Sequence, residues 1–445
     1  MSIERRTGAA IVGERARGGG GASRQGAELE LREGDGTVRR CYLAWDKRVG
    51  DPARRAYFER ETAVLDALSG PFAHAGVPVA PLLVSEPGHL ALCSAFVDGE
   101  DRFAAAANPS AVAGSFIGQL ARLHAIDAAH PAFAALGDAA EPPSSIIRRR
   151  LAQLSADNLA SGADPILQLA LTWLAANVPA DRGAAVVVHG DAGPGNFLFR
   201  GDDVVALVDW ELSHLGDPAE DIAQIWVRSL IQPFVPIGEV VSAYEAASGT
   251  PVDIARVKYH RLYFQLGFSV AANVTEVAQG RPPAASTGAA LLYGTMHRRV
   301  IVESLAELTG TRLADAHLPD VPPGWADAGY AAALDDLRDD ILPCLTDQRA
   351  ATKAKALARM IKYWRMRDRC GAAFDAAEVA GINGALGTAE RELMPARAAL
   401  GRAIAAGEVP FEEALQLCHA RAARETFLMR DAMGALAAAR YEEFP

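Results

Sequence analysis

The sequence is poor in several features that would mark particular classes of protein. Its five cysteines are scattered and show no CxxC spacing, so neither a disulfide framework nor a structural zinc site is indicated. No apolar run reaches the length of a membrane span, and the charged N-terminal residues contain no apolar core of the kind found in signal peptides. We therefore expect a soluble, cytoplasmic protein that has no membrane partner.

Positive charge is also scarce. The chain has 44 Lys and Arg against 55 Asp and Glu, a formal net charge of −11 at pH 7, which argues against a nucleic-acid partner. Half of the residues are hydrophobic, as in ordinary globular proteins, and a length of 445 residues suggests two or three domains.

A stretch near the middle of the chain has the pattern of a strand, a loop and a hairpin. The β-branched run at 186–188 predicts a short buried strand, and the Gly-Pro-Gly sequence at 193–195 keeps the next loop from becoming helical. Two further apolar runs, at 197–199 and 204–208, flank a Gly-Asp-Asp turn and predict a β-hairpin.

Polar residues stand at the ends of these predicted strands. Antiparallel pairing would bring Asn196, just before the hairpin, next to Asp209, just after it, with Asp191 nearby. Such hard oxygen ligands suit Mg²⁺, which prefers one or two protein carboxylates together with phosphates and waters. The order H-x-D-x-x-x-x-N, followed across the hairpin by a second Asp, matches the kinase catalytic loop and metal-binding Asp in outline. By this match, we expect Asp191 to orient and deprotonate a hydroxyl group and Asn196 and Asp209 to hold the metal that bridges nucleotide phosphates.

The order of these residues resembles that of the aminoglycoside phosphotransferase and choline-kinase-like family. The matching segments are His189-Gly190-Asp191 with Asn196, Asp209-Trp210-Glu211, and Gly216-Asp217-Pro218 with Asp221. The resemblance covers roughly the first 315 residues. It implies an α+β, two-lobed protein-kinase-like fold with a β-rich N-lobe and a mainly helical C-lobe. It also implies an ATP- and Mg²⁺-dependent phosphotransferase whose acceptor is a small-molecule hydroxyl.

Three residues near the centre are given supporting roles. The resemblance implies that His189 packs and hydrogen-bonds to hold the loop, and it adds Asp217 and Asp221 to the site. Asp217 is also followed by Pro, Ala and Glu, a good helix start, so capping is an equal explanation for Asp217 and Glu220.

A glycine run at 18–21, followed by Ser23, lies inside a predicted β-meander. Glycine backbone can approach phosphates closely because no side chain intervenes, although a flexible tail gives the same pattern. The family usually carries a basic residue at the end of the next strand, but Ala44 and Trp45 at the matching positions are not basic.

Lys47 is the best replacement for the missing base, because it points to the same face of a strand as Trp45, and Arg40 is the second candidate. A predicted helix at 54–68 places Glu61 where the resemblance has the acid that pairs with this base. Phe96 and Val97 fall in the segment between the lobes, where the resemblance implies backbone contacts with the adenine.

These segments predict four parts of the chain. They are a nucleotide-covering N-lobe at 1–100, a catalytic C-lobe at 101–316, a proline-rich linker at 317–329 and an added all-α domain at 330–445. In the last part a predicted helix at 348–369 has a basic face (Lys355, Arg359, Lys362 and Arg369), which fits a solvated surface and also a site for an anionic partner or substrate. We expect any protein partner, or a second copy in a homo-oligomer, to bind through this all-α domain.

The acceptor class stays open at this point. The short connection from Asp209 to Gly216 favours a small molecule over a protein, and the resemblance offers aminoglycosides, choline-like alcohols, sugars and hydroxyacyl-CoA compounds. The last class would need basic residues near the cleft, such as 148–150 or Lys355.

A different hypothesis is a nucleotide-binding, weakly or non-catalytic kinase-like interaction module, motivated by the missing strand base and the extra helical domain.

Overall fold

The computed structural model describes residues 3–17, 24–278, 288–316, 318 and 322–444. The strands are β1 Ala10–Arg17, β2 Gln25–Arg32, β3 Val38–Trp45, β4 Leu82–Glu86, β5 Ala91–Ala95, β6 Val186–Val188, β7 Phe197–Arg200, β8 Asp203–Leu207 and β9 His214–Gly216. The first helices are α1 Ile3–Thr7, α2 Pro52–Ser69, α3 Pro109–His124, α4 Pro143–Ala160, α5 Pro165–Ala176, α6 Ala219–Ser229 and α7 Ile237–Ser248. The later helices are α8 Ile254–Ala278, α9 Gly288–Thr309, α10 Asp327–Asp335, α11 Gln348–Leu386, α12 Leu393–Ala406 and α13 Phe411–Met433.

Two compact units account for these elements. The first comprises residues 1–146, 180–257 and 441–445, and the second comprises residues 147–179 and 258–440. All strands belong to the first unit, and the second is helical. Among the described residues, no helix combines the length and the apolar character that crossing a membrane requires.

An antiparallel sheet with the order β1-β2-β3-β5-β4 forms the N-terminal part of the first unit. Alternate residues of β2 (Ala27, Leu29 and Leu31) are buried, which is the pattern of a sheet with one covered face. Helix α2 begins at a clear signal, because the side chain of Asp51 accepts a hydrogen bond from the backbone N–H of Ala53 and Pro52 occupies the first turn. The apolar face of α2 is buried, and it includes one acid, Glu61.

Short strands shape the middle of the first unit. Strand β6 pairs with β9, and β7 pairs with β8 as the predicted hairpin, in which Phe197 faces Leu207 and Arg200 faces Asp203. This pairing fixes the two ends of the hairpin side by side. A short 3₁₀ turn, Trp210–Leu212, then connects β8 to β9.

The second unit is built around helix α5, which is apolar on almost every side. The six residues from Ile166 to Leu171 are all buried, so this helix needs neighbours all around it. Helix α12 packs against α5, and α13 packs against α9 and α11. Their side chains share one core, with members such as Leu169, Leu266, Leu305, Leu400 and Leu415.

The division into units differs from the domain boundaries expected from the sequence. We expected a linker at 317–329 followed by a separate all-α domain at 330–445, but the C-terminal helices share their core with residues 147–179. Burial of α5 explains the difference, since its apolar surface is covered by α9, α12 and α13, which follow it far along the chain. The helix expected at 348–369 is also longer, because α11 continues to Leu386.

A buried ion cluster anchors the start of α5. Asp164 caps this helix through the backbone N–H of Ile166, at 3.0 Å, and accepts two hydrogen bonds from Arg421, at 3.1 and 2.8 Å. Burial alone would raise the pKa of Asp164, but Arg421 and Arg298 hold it well below its ordinary value. The cluster therefore stabilises the second unit as long as the carboxylate is ionised.

We expect Asp164→Asn to destabilise the second unit by about 1–3 kcal/mol at neutral pH, because buried Arg421 loses one charged partner and keeps Glu425, while the cap is kept. A depressed carboxyl pKa contributes stability above the ordinary pKa and loses it as pH falls, so the deficit should shrink below about pH 4. Thermal unfolding followed by circular dichroism at pH 7 and pH 3.5 measures both effects. Asp336→Asn, at an exposed carboxylate of the same unit, is the control, and equal melting of the two variants at pH 7 would contradict the prediction.

Candidate active site

The loop after β6 has a shape that depends on glycine. Gly190 has a φ of +81°, and a Cβ at this position would lie 2.2 Å from the carbonyl oxygen of Leu212. Gly195 also has a positive φ, of +90°. The backbone N–H of Asn196 then donates to the carbonyl of Gly193 at 3.1 Å, and the N–H of Val208 donates to the carbonyl of Asn196 at 3.0 Å. The loop therefore closes against the end of β8.

Asp191 is held by three side chains. Its Oδ1 accepts hydrogen bonds from Arg228 Nη1 at 2.6 Å and from Gln224 Nε2 at 3.1 Å. Its Oδ2 accepts from Asn196 Nδ2 at 2.7 Å. Gln224 and Arg228 lie four residues apart and therefore on one face of α6. This arrangement fixes the direction in which the Asp191 carboxylate points.

The sequence did not reveal Gln224 and Arg228 as site residues. They occupy the face of α6 that also carries Asp221, at helical spacings of three and four residues. This spacing is the only signal in the sequence, and it becomes informative once the helix start at Asp217 is related to the loop that contains Asp191.

Asp221 holds the loop that contains Asp191 through buried hydrogen bonds. It is fully buried, and it accepts hydrogen bonds from the backbone N–H groups of His189 and Gly190, both at 2.9 Å, and from His124 Nε2 at 3.0 Å. His124 in turn contacts the hydroxyl of Tyr244 at 2.8 Å. Burial would raise the pKa of Asp221, but the bonds from His124 and the loop hold it below the ordinary value. Asp221 is thus an ionised carboxylate that fixes the loop backbone through hydrogen bonds.

His189 fills a structural position in the same loop. Its Nε2–H donates to the carbonyl of Val208 at 3.1 Å, its Nδ1 accepts from the N–H of Asp191 at 3.3 Å, and its ring packs against Trp210 at 4.6 Å. Burial lowers the pKa of His189, despite the opposing charges of Asp221 and Asp191. The imidazole is therefore neutral and braces the loop.

Asp217 and Glu220 form a reciprocal cap at the start of α6. Asp217 Oδ1 accepts from the N–H of Ala219 at 2.9 Å, and Glu220 Oε1 accepts from the N–H of Asp217 at 2.9 Å. Asp217 also forms an ion pair with Arg256. Capping accounts for both acids, and it sets the direction of the helix that carries Gln224.

Asp209 lies directly after β8 in a left-handed backbone conformation, with a φ of +66°. The pKa of its carboxyl is raised from 3.8 to about 7, first by burial and then by the negative charges of Glu211, Glu61 and Asp191. Within the described ranges, no cation forms an ion pair with Asp209. Burial and the neighbouring acids therefore outweigh the positive charge of Arg24 at this carboxylate.

The residues at this position fit a magnesium ion that is also held by phosphates. Asn196 directs its amide nitrogen to Asp191, which leaves the amide oxygen as the group for a cation, and Asp209 adds one carboxylate. The described part of the chain has no group of three His, Cys, Asp or Glu side chains placed for a metal. One carboxylate and one amide are a sufficient protein contribution for Mg²⁺, which otherwise takes phosphate and water oxygens.

Glu61 has a partner that the sequence did not indicate. It forms an ion pair with Arg24, the residue before β2, and the other terminal nitrogen of Arg24 lies 3.2 Å from Glu211. Lys47, the expected partner, is exposed after β3. Arg40, the second candidate, contacts Glu28 and Asp98 instead.

Three further residues were predicted to contact the nucleotide: Ser23, Phe96 and Val97. Ser23 and the glycine run at 18–21 lie outside the described residues. Phe96 and Val97 follow β5 and are half-buried, and the N–H of Phe96 donates to the carbonyl of Arg40 at 3.1 Å. The contact of Phe96 and Val97 with adenine stays a prediction.

Comparison with known proteins relates this geometry to one family. The sequence profile of the family described as "Phosphotransferase enzyme family" matches residues 30–260, slightly more than half of the chain. A candidate aminoglycoside phosphotransferase from Ralstonia eutropha JMP134 superposes with a TM-score of 0.52 at 20% identity, covering 69% of this chain and 97% of that one. The predicted two-lobed, protein-kinase-like α+β fold with additional C-terminal helices is thereby confirmed, and so is the family resemblance.

Other similar proteins match more weakly or over shorter segments. The macrolide 2′-phosphotransferase MphH of Brachybacterium faecium has a TM-score of 0.47 at 21% identity, covering 70% of this chain and 98% of that one. Acyl-CoA dehydrogenase family member 10 of Mus musculus is 28% identical over 160 residues, or 32% of this chain and 14% of that protein. Member 11 of Rattus norvegicus is 27% identical over 179 residues, or 36% and 22%. The matches span less than a quarter of these curated relatives.

We expect Asp209→Asn to raise the stability of the protein when nucleotide and divalent cations are absent. A carboxyl pKa that is raised on folding carries no penalty below the ordinary value of 3.8, and the full penalty is present above about pH 7. The gain should therefore be nil near pH 4 and reach roughly 1–3 kcal/mol at pH 8, since one pKa unit equals about 1.4 kcal/mol and partial exposure screens the charges.

Melting temperatures of wild type and Asp209→Asn, measured in EDTA from pH 4 to pH 8, test this prediction. Asp202→Asn, at an exposed carboxylate in the β7–β8 turn, controls for loss of one negative charge. Superimposable wild-type and Asp209→Asn profiles would show that the carboxylate carries no such penalty.

Proposed function

We propose that this chain, which belongs to the phosphotransferase enzyme family, transfers the γ-phosphate of ATP to a hydroxyl group of a small molecule. The observation that carries the proposal is the convergence of Asp191, Asn196 and Asp209 at the ends of β6, β7 and β8. Phosphoryl transfer depends mainly on positioning and on neutralising charge, and these residues can supply both.

Asp191 is proposed to accept the proton of the acceptor hydroxyl. Three side chains orient its carboxylate, and one of them, Arg228, is a cation. A general base of this kind must lie within hydrogen-bond reach of the proton that it removes. Side-chain exposure of 19% leaves the carboxylate open to an acceptor.

Asn196 and Asp209 would hold Mg²⁺, which when bound supplies positive charge to the phosphate oxygens. The raised pKa of Asp209 supports this role, because a nearby cation would remove the cost of ionising the carboxyl. The amide of Asn196 is held in one orientation by its two bonds to Asp191, both at 2.7 Å.

A small acceptor is proposed because the segment after Asp209 is short. Only the turn Trp210–Leu212 and one further residue precede β9, so this connection offers no extended segment on which a peptide could lie. The curated relatives are acyl-CoA dehydrogenase family members, which favours testing hydroxyacyl-CoA compounds beside aminoglycosides, choline analogues and sugars.

A non-catalytic nucleotide-binding module is the competing hypothesis. It was motivated by the absence of a basic residue at the end of β3, and Ala44 and Trp45 do stand at this position. The Arg24–Glu61 pair weakens the argument for a non-catalytic module, because it supplies a cation at the same end of the sheet. The complete set of Asp191, Asn196 and Asp209 further supports catalysis.

We expect Asp191→Asn to lower acceptor-dependent ADP release by about 10²–10⁴-fold, because the base is lost, while ATP binding is retained. ADP release is measured with Mg²⁺ across the four acceptor classes, and ATP affinity is measured by calorimetry on the same preparations. Asp202→Asn should behave as wild type. Undiminished turnover by Asp191→Asn would refute the role of this residue, and ATP binding without release for any acceptor would favour the non-catalytic module.

Arg228→Gln tests the residue that orients Asp191. The variant loses the 2.6 Å ion pair to Asp191, and we expect turnover to fall about tenfold or more with little change in ATP affinity, since the base loses its fixed direction. Arg228→Lys should recover only part of the loss, because an ammonium cannot also reproduce the bond of Arg228 Nη2 to the carbonyl of Pro194. Full activity in Arg228→Gln would contradict this positioning role.

A further inference from the structure

We propose that Arg24, the residue before β2, binds the nucleotide phosphates in place of the basic residue that β3 lacks. The inference rests on the proposed function and adds a residue that the sequence pattern did not indicate. It is carried by the ion pairs of Arg24 with Glu61 and Glu211, which place one cation beside both α2 and the segment that holds Asp209.

The position of Arg24 in the sheet matches that of the missing base. Gly26 of β2 lies opposite Ala44 of β3 in the antiparallel pairing. Arg24 is two residues before Gly26, so it projects to the face that Gly26 and Ala44 share. Ala44 is one of the two positions where a base was expected. The cation thus comes from the neighbouring strand at the same end of the sheet.

The partners of Arg24 link it to the reacting end of the site. Its side chain is only 15% exposed, Nη1 pairs with the buried Glu61, and Nη2 lies 3.2 Å from Glu211. Glu211 is two residues from Asp209, so Arg24 lies close to the place where phosphates would meet the metal.

The guanidinium has donors beyond those that these two pairs require. Each terminal nitrogen carries two N–H groups and Nε carries one, in a planar fork that suits phosphate oxygens. Burial acts to lower the pKa of Arg24, but Glu61 and Glu211 raise it above the ordinary value. A charged, oriented donor is therefore ready before any nucleotide binds.

Other basic side chains nearby fit this role less well. Lys47 is exposed in the loop after β3. Arg39 pairs with Glu33 at 2.7 Å, on the side of the β2–β3 turn. Arg54 reaches Glu211 only at 3.9 Å and also lies 3.7 Å from Asp46. Of these, Arg54 gives a useful matched control, because it is an arginine beside the same acid.

The test compares the affinities of ADP with Mg²⁺ and of adenosine, measured by calorimetry on the full chain. We expect Arg24→Gln to weaken ADP binding by roughly 10- to 100-fold and to leave adenosine within about twofold, since only the phosphates lose a charged hydrogen-bond donor. Lys47→Gln and Arg54→Gln should bind ADP as wild type does. A loss in Lys47→Gln or Arg54→Gln with unchanged Arg24→Gln would overturn the assignment.

A double variant separates phosphate binding from a purely structural ion pair. Arg24→Gln leaves Glu61 buried without its partner, so the single variant can lose stability. Arg24→Gln with Glu61→Gln removes both charges, and we expect it to melt near wild type and still bind ADP weakly. Wild-type affinity for ADP in the double variant would show that Arg24 serves only Glu61, and would overturn the proposal.

The same measurements distinguish failure of this inference from failure of the proposed function. Wild-type protein that binds ADP, with no change in Arg24→Gln, contradicts only the role of Arg24. Wild-type protein that binds no adenine nucleotide contradicts the proposed function, and the role of Arg24 with it.

Discussion

Crowding of negative charge is the constraint on which the candidate site depends. Asp191, Asp209, Glu211 and Glu61 influence one another electrostatically, and burial weakens the solvent screening between them. Arg228 balances Asp191, and Arg24 balances Glu61 and Glu211. Asp209 has no ion-pair partner in the described ranges, and burial together with the neighbouring acids raises its pKa. Among the described residues, the protein's own cations thus pair with the other three acids and leave Asp209 without an ion pair.

Positioning of these groups is achieved by a layer of buried contacts beneath them. Asp221 binds two loop N–H groups, and Gly190 allows the backbone to turn where a side chain would strike the carbonyl of Leu212. His189 ties the loop to β8 through the carbonyl of Val208. Helix α6 then presents Gln224 and Arg228 to Asp191. The loop and helix α6 are thus connected twice, by the bonds of Asp221 to the loop backbone and by the bonds of Gln224 and Arg228 to Asp191.

Local signals in the sequence were sufficient for the centre of this arrangement. The hairpin at 197–207 follows from β-branched runs around a turn, and its register alone places Asn196 beside Asp209. The helix cap at Asp217 could be predicted from the four residues 217–220 alone. Such local signals could not predict which distant elements contact each other. Arg228 looks like an ordinary polar position on a helix until α6 is placed against the loop.

The units illustrate the same limit. Proline-rich sequence at 317–329 suggested a boundary, but apolar residues do not specify which helices cover them. Helix α5 is buried on nearly every side, and helices from the C-terminal part of the chain supply much of that cover. Proline-rich sequence therefore indicates where a helix ends, whereas the packing of apolar side chains in the core determines which helices form one unit.

Arg24 connects two features of the sequence around the site. The end of β3 has no basic residue, and Glu211 follows Asp209 by two residues. An ammonium on β3 would act as a point charge, whereas a guanidinium can address two carboxylates with separate nitrogens. Arg24 uses one nitrogen for Glu61 and the other for Glu211, so it joins α2 to the segment after β8. The cation just before β2 and the acid that follows Asp209 are therefore two parts of one ion-pair arrangement.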